Sequence, residues 1–175
     1  MLAIVVLISG CSGTGDEALI VYSGRSEPLM KELVERYKKK VEVPVRVKYG
    51  KDAQLLGALK EEGSQTPADI YLANTTGALS NAVQNDMLSK LPDSVLDRAH
   101  RFVPSNKRWA PISARFRVLA YNPSRVDPST LPDSVLDLPS EFRFKRKIGW
   151  TPTYSSFQDF VTGLRILEGP ETTRE

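Results

Sequence analysis

Three short polar stretches carry the residues whose types and spacing suit a chemical task. They are Ser23-Gly24-Arg25-Ser26-Glu27, Asn74-Thr75-Thr76 and Thr153-Tyr154-Ser155-Ser156. Each follows an apolar run of strand length, and each precedes a run with helical spacing. A helix N-terminus presents unsatisfied N–H groups and the positive end of its dipole, which suits an anion. Hydroxyls at Ser23, Ser155 and Ser156, the backbone at Gly24, and the guanidinium groups of Arg25 and Arg115 would add donors. An arginine offers a carboxylate, carbonate or phosphate a two-pronged partner. The chain holds one cysteine, Cys11, and one histidine, His100. An internal disulfide and a zinc site built on Cys and His clusters are thereby excluded. A catalytic triad would need His100 as its base, and His100 lies in a polar turn remote from any serine-bearing elbow.

The elements that must hold these stretches follow from periodicity. Ala18 to Ser23 is a continuous apolar run, as expected of a strand covered on both faces. Ser26 is a suitable N-cap and Pro28 suits a first turn; Leu29, Met30, Leu33, Val34 and Tyr37 then recur at helical spacing. Val41 to Tyr49 alternates as a strand. Gly50 and Asp52 open a second helix, with Leu55, Leu56 and Leu59 on one face. Ala68 to Ala73 reads as a third strand, and Thr75 to Met87 as a third helix carrying Leu79 and Val83. The order β-α-β-α-β-α predicts a mostly parallel sheet, with ligands bound beyond the carboxyl ends of its strands.

Further on, Leu91–Asp97 and Leu131–Asp137 are the same heptapeptide, LPDSVLD. The flanking sequence does not repeat, so both copies read as local helical turns. Trp109 to Asn122 alternates over a long stretch and is expected to form a strand crossing between two lobes. Residues 123–144 read as loop with one short helix, and Ile148 to Thr151 as a strand. Ser155 to Leu167 reads as a helix with Phe157, Phe160, Val161, Leu164 and Leu167 on its inner face.

The balance of 41% hydrophobic and 26% charged residues is that of a globular protein. The net charge of +3 is spread along the chain, densest at Lys38–Lys40 and from Arg143 to Lys147. No basic motif with interleaved aromatics points to nucleic acid.

Residues 1–9, MLAIVVLIS, are too short to span a bilayer but match the apolar core of a signal peptide. The following Ile8-Ser9-Gly10-Cys11 resembles a bacterial lipobox, which implies cleavage before Cys11 and its lipidation. Residues 12–17 would be a flexible tether. No Lys or Arg precedes the apolar run. The competing reading is a strand leading into a glycine-rich nucleotide loop at Val5 to Gly15, as in a nucleotide-dependent oxidoreductase. Only two residues separate Gly10 from Gly13, a strand-like run follows where a helix is required, and no Tyr-x-x-x-Lys pair occurs. These features disfavour it.

A family resemblance rests on motifs that fall in order along the chain. They are Tyr22-Ser23-Gly24-Arg25-Ser26-Glu27, Glu61-Glu62-Gly63, Pro67-Ala68-Asp69-Ile70-Tyr71, Ser113 to Val118, and Gly149-Trp150-Thr151-Pro152-Thr153 to Phe157. Together they resemble the periplasmic ferric-iron-binding proteins of ABC importers. The resemblance implies a two-lobed α/β fold of the periplasmic-binding-protein type. Residues 1–17 would be signal peptide and tether, 18–115 the first lobe with its crossover strand, and 116–175 the start of an incomplete second lobe. It implies a binding protein and not an enzyme, in which Fe³⁺ sits with carbonate or a similar synergistic anion. Fe³⁺ is a hard cation that favours phenolate and carboxylate oxygen. Carried over as anion contacts are Arg25, Arg115, Ser155 and Ser156. Ser26 and Asn74 occupy positions where some members have histidine and glutamate, and Tyr154 replaces a smaller residue. The family's paired tyrosine ligands are expected beyond residue 175. The implied partners are an ABC permease and, through Cys11, a membrane surface, with the protein exported and monomeric. The same fold could instead carry an organic anion, phosphonate, sulfate or polyamine.

Overall fold

The computed structural model describes residues 18–99 and 101–174. The expected signal segment, Cys11 and His100 lie outside them. The backbone falls into two compact units, Met1–Asn74 and Thr75–Glu175.

In the first unit, β1 (Leu19–Ser23) is the middle strand of a three-stranded parallel sheet, flanked by β2 (Val45–Tyr49) and β3 (Ile70–Leu72). Tyr22 pairs with Lys48 on one side and with Tyr71 on the other. Two further bonds extend the ladders past the last strand residue: Gly24 N–H donates to the Leu72 carbonyl at 2.9 Å, and Gly50 N–H to the Ser23 carbonyl at 3.2 Å. The carboxyl ends of all three strands therefore emerge on one edge. The second strand is shorter than its alternating pattern because Pro44 has no N–H to donate; its carbonyl still accepts from Leu19 N–H at 2.8 Å. The third is held at its start by Asp69, whose carboxylate accepts from Ile20 N–H at 2.7 Å.

Helix α1 (Glu27–Lys38) follows β1, with Ser26 at its N-cap and Pro28 in its first turn. Lysine and arginine near its end suit the helix dipole. Helix α2 (Asp52–Glu62) buries Leu55 and Leu59, and Gly63 ends it at φ +53°, where a Cβ would be strained. Val21, Tyr22 and Met30 are buried in the same unit. Tyr22 donates its hydroxyl to both Glu62 carboxylate oxygens, at 2.7 and 2.9 Å, and Lys48 Nζ stands 4.3 Å over the Tyr22 ring. This ties the end of α2 to the central strand.

In the second unit, α3 (Thr76–Gln84) is capped by Thr75, whose Oγ1 accepts from Ala78 N–H at 3.3 Å. Its buried positions are Ala78 and Ala82, one residue off the Leu79/Val83 face expected from the sequence. Helix α4 (Asp93–Leu96) is the first copy of LPDSVLD, whereas the second copy forms a 3₁₀ turn at Val135–Asp137. Leu96 is buried but Leu136 is exposed. Tertiary context, not local propensity, decides between the two.

Among the described residues, 109–122 and 148–151 carry no β pairing, contrary to the expected strands. Alternation describes a residue's preference for a pleated surface, but a strand exists only with a ladder partner. Phe116 and Val118 are exposed accordingly. Arg117 nevertheless anchors the stretch, its guanidinium 5.2 Å from the Phe157 ring and 5.6 Å from that of Phe160. Those rings belong to α5 (Ser155–Glu168), which precedes α6 (Pro170–Arg174). Trp150 meets Phe157 edge-on at 5.2 Å. No residue of α5 is fully buried, and Leu167, expected on the inner face, is 80% exposed. Residues 123–144 hold three 3₁₀ turns instead of one short helix.

The Tyr22 hydroxyl, followed by Thr66, holds the Glu62 carboxyl below the usual carboxylate range. A depressed carboxylate pKa gives stability that is present above the unfolded value, about 4.3, and lost as pH falls through the folded one. Glu62→Gln is expected to flatten the acid limb of a stability–pH curve below about pH 5. Urea unfolding between pH 3 and 7 measures this; an unchanged acid limb would contradict it.

Candidate functional site

The site in the first unit is built at the carboxyl edge of the parallel sheet. Ser23 is fully buried, and its Oγ serves its own turn: it accepts from Arg25 N–H at 3.1 Å and donates to the Arg25 carbonyl at 3.3 Å. Gly24 N–H is engaged by Leu72. Of the donors expected at this loop, the Ser23 hydroxyl and the Gly24 and Arg25 amides thus hold the loop's shape. That leaves side chains to meet a solute. Arg25 is partly exposed and already has a contact within the protein. Ser26 is exposed at the N-cap of α1, with no side-chain capping bond.

Asp52, the first residue of α2, is the member of this site that sequence reading missed. Both of its carboxylate oxygens accept from Asn74 N–H, at 3.0 and 3.2 Å. A Cβ added to Gly24 would collide with Asp52 Oδ1 and lie 3.1 Å from Asn74 N. The glycine is therefore required by close approach to a carboxylate. Asp52, Gly24 and Asn74 form one cluster drawn from two loops and the start of α2, 22 residues separating Asp52 from Asn74. The only signal in the sequence was an acidic residue opening a helix, which normally reads as a dipole effect alone.

Tyr71 Oη, in β3, is buried without a hydrogen-bond partner among the described residues. Burial, and then the charge of neighbouring Asp52, push its pKa well above the usual tyrosine value.

In the second unit, the α5 N-terminus carries the other expected anion contacts. Tyr154, not Ser155, is the N-cap residue, and it makes no side-chain capping bond. Its carbonyl accepts from Phe157 and Gln158 N–H, at 2.9 and 3.1 Å. Ser155 and Ser156 are the first two helical residues, where backbone N–H groups have no intrahelical acceptor. Tyr154 is 66% exposed, so its phenol is open to a solute. Arg115 is exposed in the unpaired stretch and has a contact within the protein. Asp159 Oδ1 would lie 3.2 Å from a Cβ on Gly77. That carboxylate occupies the first turn of α3, where negative charge is favoured. Among the described residues, no three Asp, Glu, His or Cys side chains gather as a metal site.

Comparison with known proteins shows what this α/β fold is similar to. The Fe(3+)-binding periplasmic protein of Serratia marcescens is 29% identical over 163 residues, covering 93% of this chain and 48% of its own. The major ferric iron-binding protein of Neisseria meningitidis is 29% identical over 154 residues, covering 86% of this chain and 46% of its own. Iron-bound HitA from Pseudomonas aeruginosa superposes with a TM-score of 0.79 at 30% identity, covering 89% of this chain and 51% of that one. A Trichodesmium protein in complex with iron and citrate superposes at 0.75, with 27% identity. No protein-family profile matches the sequence. The chain spans about half the length of the relatives it matches. The resemblance read from the motifs is borne out: over most of its length this chain is similar to the periplasmic ferric-iron-binding proteins, and its α/β fold is of their two-lobed class.

A buried hydroxyl without a partner costs free energy. Tyr71→Phe is expected to be neutral or to stabilise by roughly 0–1 kcal/mol at pH 7. Because the Tyr71 pKa is raised in the folded state, the wild type should lose stability above about pH 10, where the unfolded phenol ionises and the folded one does not. The phenylalanine variant should lose less. Thermal midpoints at pH 7 and pH 10.5 check both; a large loss at pH 7 would reveal a partner for the hydroxyl.

Proposed function

We propose that this chain supplies about half of an extracytoplasmic solute-binding protein that carries ferric iron, with a synergistic anion, to an ABC permease. The observation that carries the reading is the similarity, over nearly the whole chain, to proteins named for Fe³⁺ binding, joined to the same fold. The protein acts by binding and release, not by catalysis. In this reading the iron is the cargo. The candidate contacts for the anion, carbonate or citrate, are Ser155, Ser156 and Arg115 of the second unit and Arg25 of the first. Ser23 and Gly24 shape the first loop. Ser26, Asn74 and Tyr154 are the minor candidate ligands for the cation, and the main phenolate ligands come from the length of the relatives that this chain does not match. The lobe boundary falls near residue 115. Cys11, lipidated, holds the monomer at the outer face of the cytoplasmic membrane or in the periplasm.

A second reading is favoured by one observation. Ser26 and Asn74 are poor ligands for Fe³⁺, which prefers anionic oxygen. The same fold carrying an organic anion, phosphonate, sulfate or polyamine would fit those two residues.

Binding by such proteins relies on two lobes closing about a hinge, so half of the cleft holds a solute weakly. Equilibrium dialysis of this chain against ferric citrate is expected to show weak, saturable binding, with sulfate, a phosphonate and spermidine retained less. Retention of one of those three in place of iron would transfer the assignment to the second reading. A tight, coloured, stoichiometric iron complex of this chain alone would contradict the half-site account.

A further inference from the structure

Asp52 stands where α2 begins, yet its carboxylate serves residues of two other loops. It takes the Asn74 N–H with both oxygens and fills the space that a side chain on Gly24 would need. The Asn74 amide lies just past β3, and Gly24 lies just past β1 and is itself bonded to Leu72 of β3. The carboxylate therefore joins the β1–α1 loop to the β3–α3 loop at the edge where the sheet presents its polar residues. Without it, the Asn74 N–H loses this acceptor, and the Gly24–Leu72 bond is left to hold the two loops at that edge.

We propose that Asp52 is the positioning residue of the first-unit site: seated over Gly24 and bonded to Asn74 N–H, it locks the loops that carry Arg25, Ser26 and Asn74 into one binding edge. The role in binding rests on the iron-carrier reading above; the lock itself does not. Asp52 acts through its neighbours and does not need to touch the solute. Residues that orient ligating groups in this way commonly affect metal affinity by about 10- to 100-fold.

The test combines a double-mutant cycle with a binding measurement on the same chain. Gly24→Ala should lower the thermal midpoint, because its Cβ displaces the carboxylate. In an Asp52→Ala background the same glycine change should have a much smaller effect, since two of the three atoms crowding the Cβ are then gone. Asp52→Ala should speed hydrogen exchange at Asn74 N–H by about tenfold or more, while Asp52→Asn, which keeps an oxygen acceptor, should hold much of the protection. Ferric citrate binding should weaken about tenfold in Asp52→Ala and be largely restored in Asp52→Asn. An additive cycle, with Gly24→Ala equally harmful in both backgrounds, overturns the lock. A coupled cycle with iron binding unchanged in Asp52→Ala overturns the positioning role. If the wild type retains no iron, the carrier reading fails while the cycle and the exchange rates still decide the lock.

Discussion

The first-unit site depends on one constraint, the pairing of β1 with parallel neighbours on both sides. Parallel strands send their carboxyl ends to the same edge, so Ser23, Tyr49 and Leu72 end together. The loops that follow must then pass within bonding distance of one another. Gly24 N–H continues the ladder to Leu72, the Ser23 hydroxyl closes its own turn, and Asp52 takes the next amide along, that of Asn74. The local hydrogen bonds are committed to the shape of the edge before any solute arrives. The side chains left outside those bonds at this edge include Ser26, which is exposed and makes no capping bond.

That division of labour takes the Gly24 and Arg25 amides out of the donors available in this loop and leaves the start of α1 itself as it was expected. Anion binding at a helix start requires amides without acceptors, and at Gly24 and Arg25 those amides already have them. The start of α5 carries Ser155 and Ser156 as its first helical residues, and its N-cap side chain makes no competing bond, as is also true of Ser26 at α1. Acidic groups are also placed with purpose. Asp52 serves the Asn74 amide, and Asp159 lies at the first turn of α3. Asp52 takes up a backbone donor that would otherwise attract an external anion.

Much of the first unit was legible in the sequence because its signals are local. A continuous apolar run marks the central strand, and leucines at 55 and 59 mark the buried face of α2. Asp52 was not legible as a site residue, because its partners are distant in sequence and an acidic helix start has an ordinary explanation. Gly24 was read as a backbone donor to an anion, whereas its smallness is demanded by a carboxylate that sequence spacing does not reveal. Residues 109–122 show the opposite failure. Their alternation is clear, but pairing needs a second strand, and none is present among the described residues. The two copies of LPDSVLD make the same point, adopting α and 3₁₀ turns from one heptapeptide.

The most direct test of the central claim, that the strand edge of the first unit is a binding face for ferric iron, is an amide map of this chain during addition of ferric citrate. High-spin Fe³⁺ broadens nearby resonances strongly. Loss of signal confined at low iron to Arg25, Ser26 and Asn74 is the result predicted. Broadening centred on acidic surface residues such as Asp93 or Glu171, with the strand edge untouched, would contradict it.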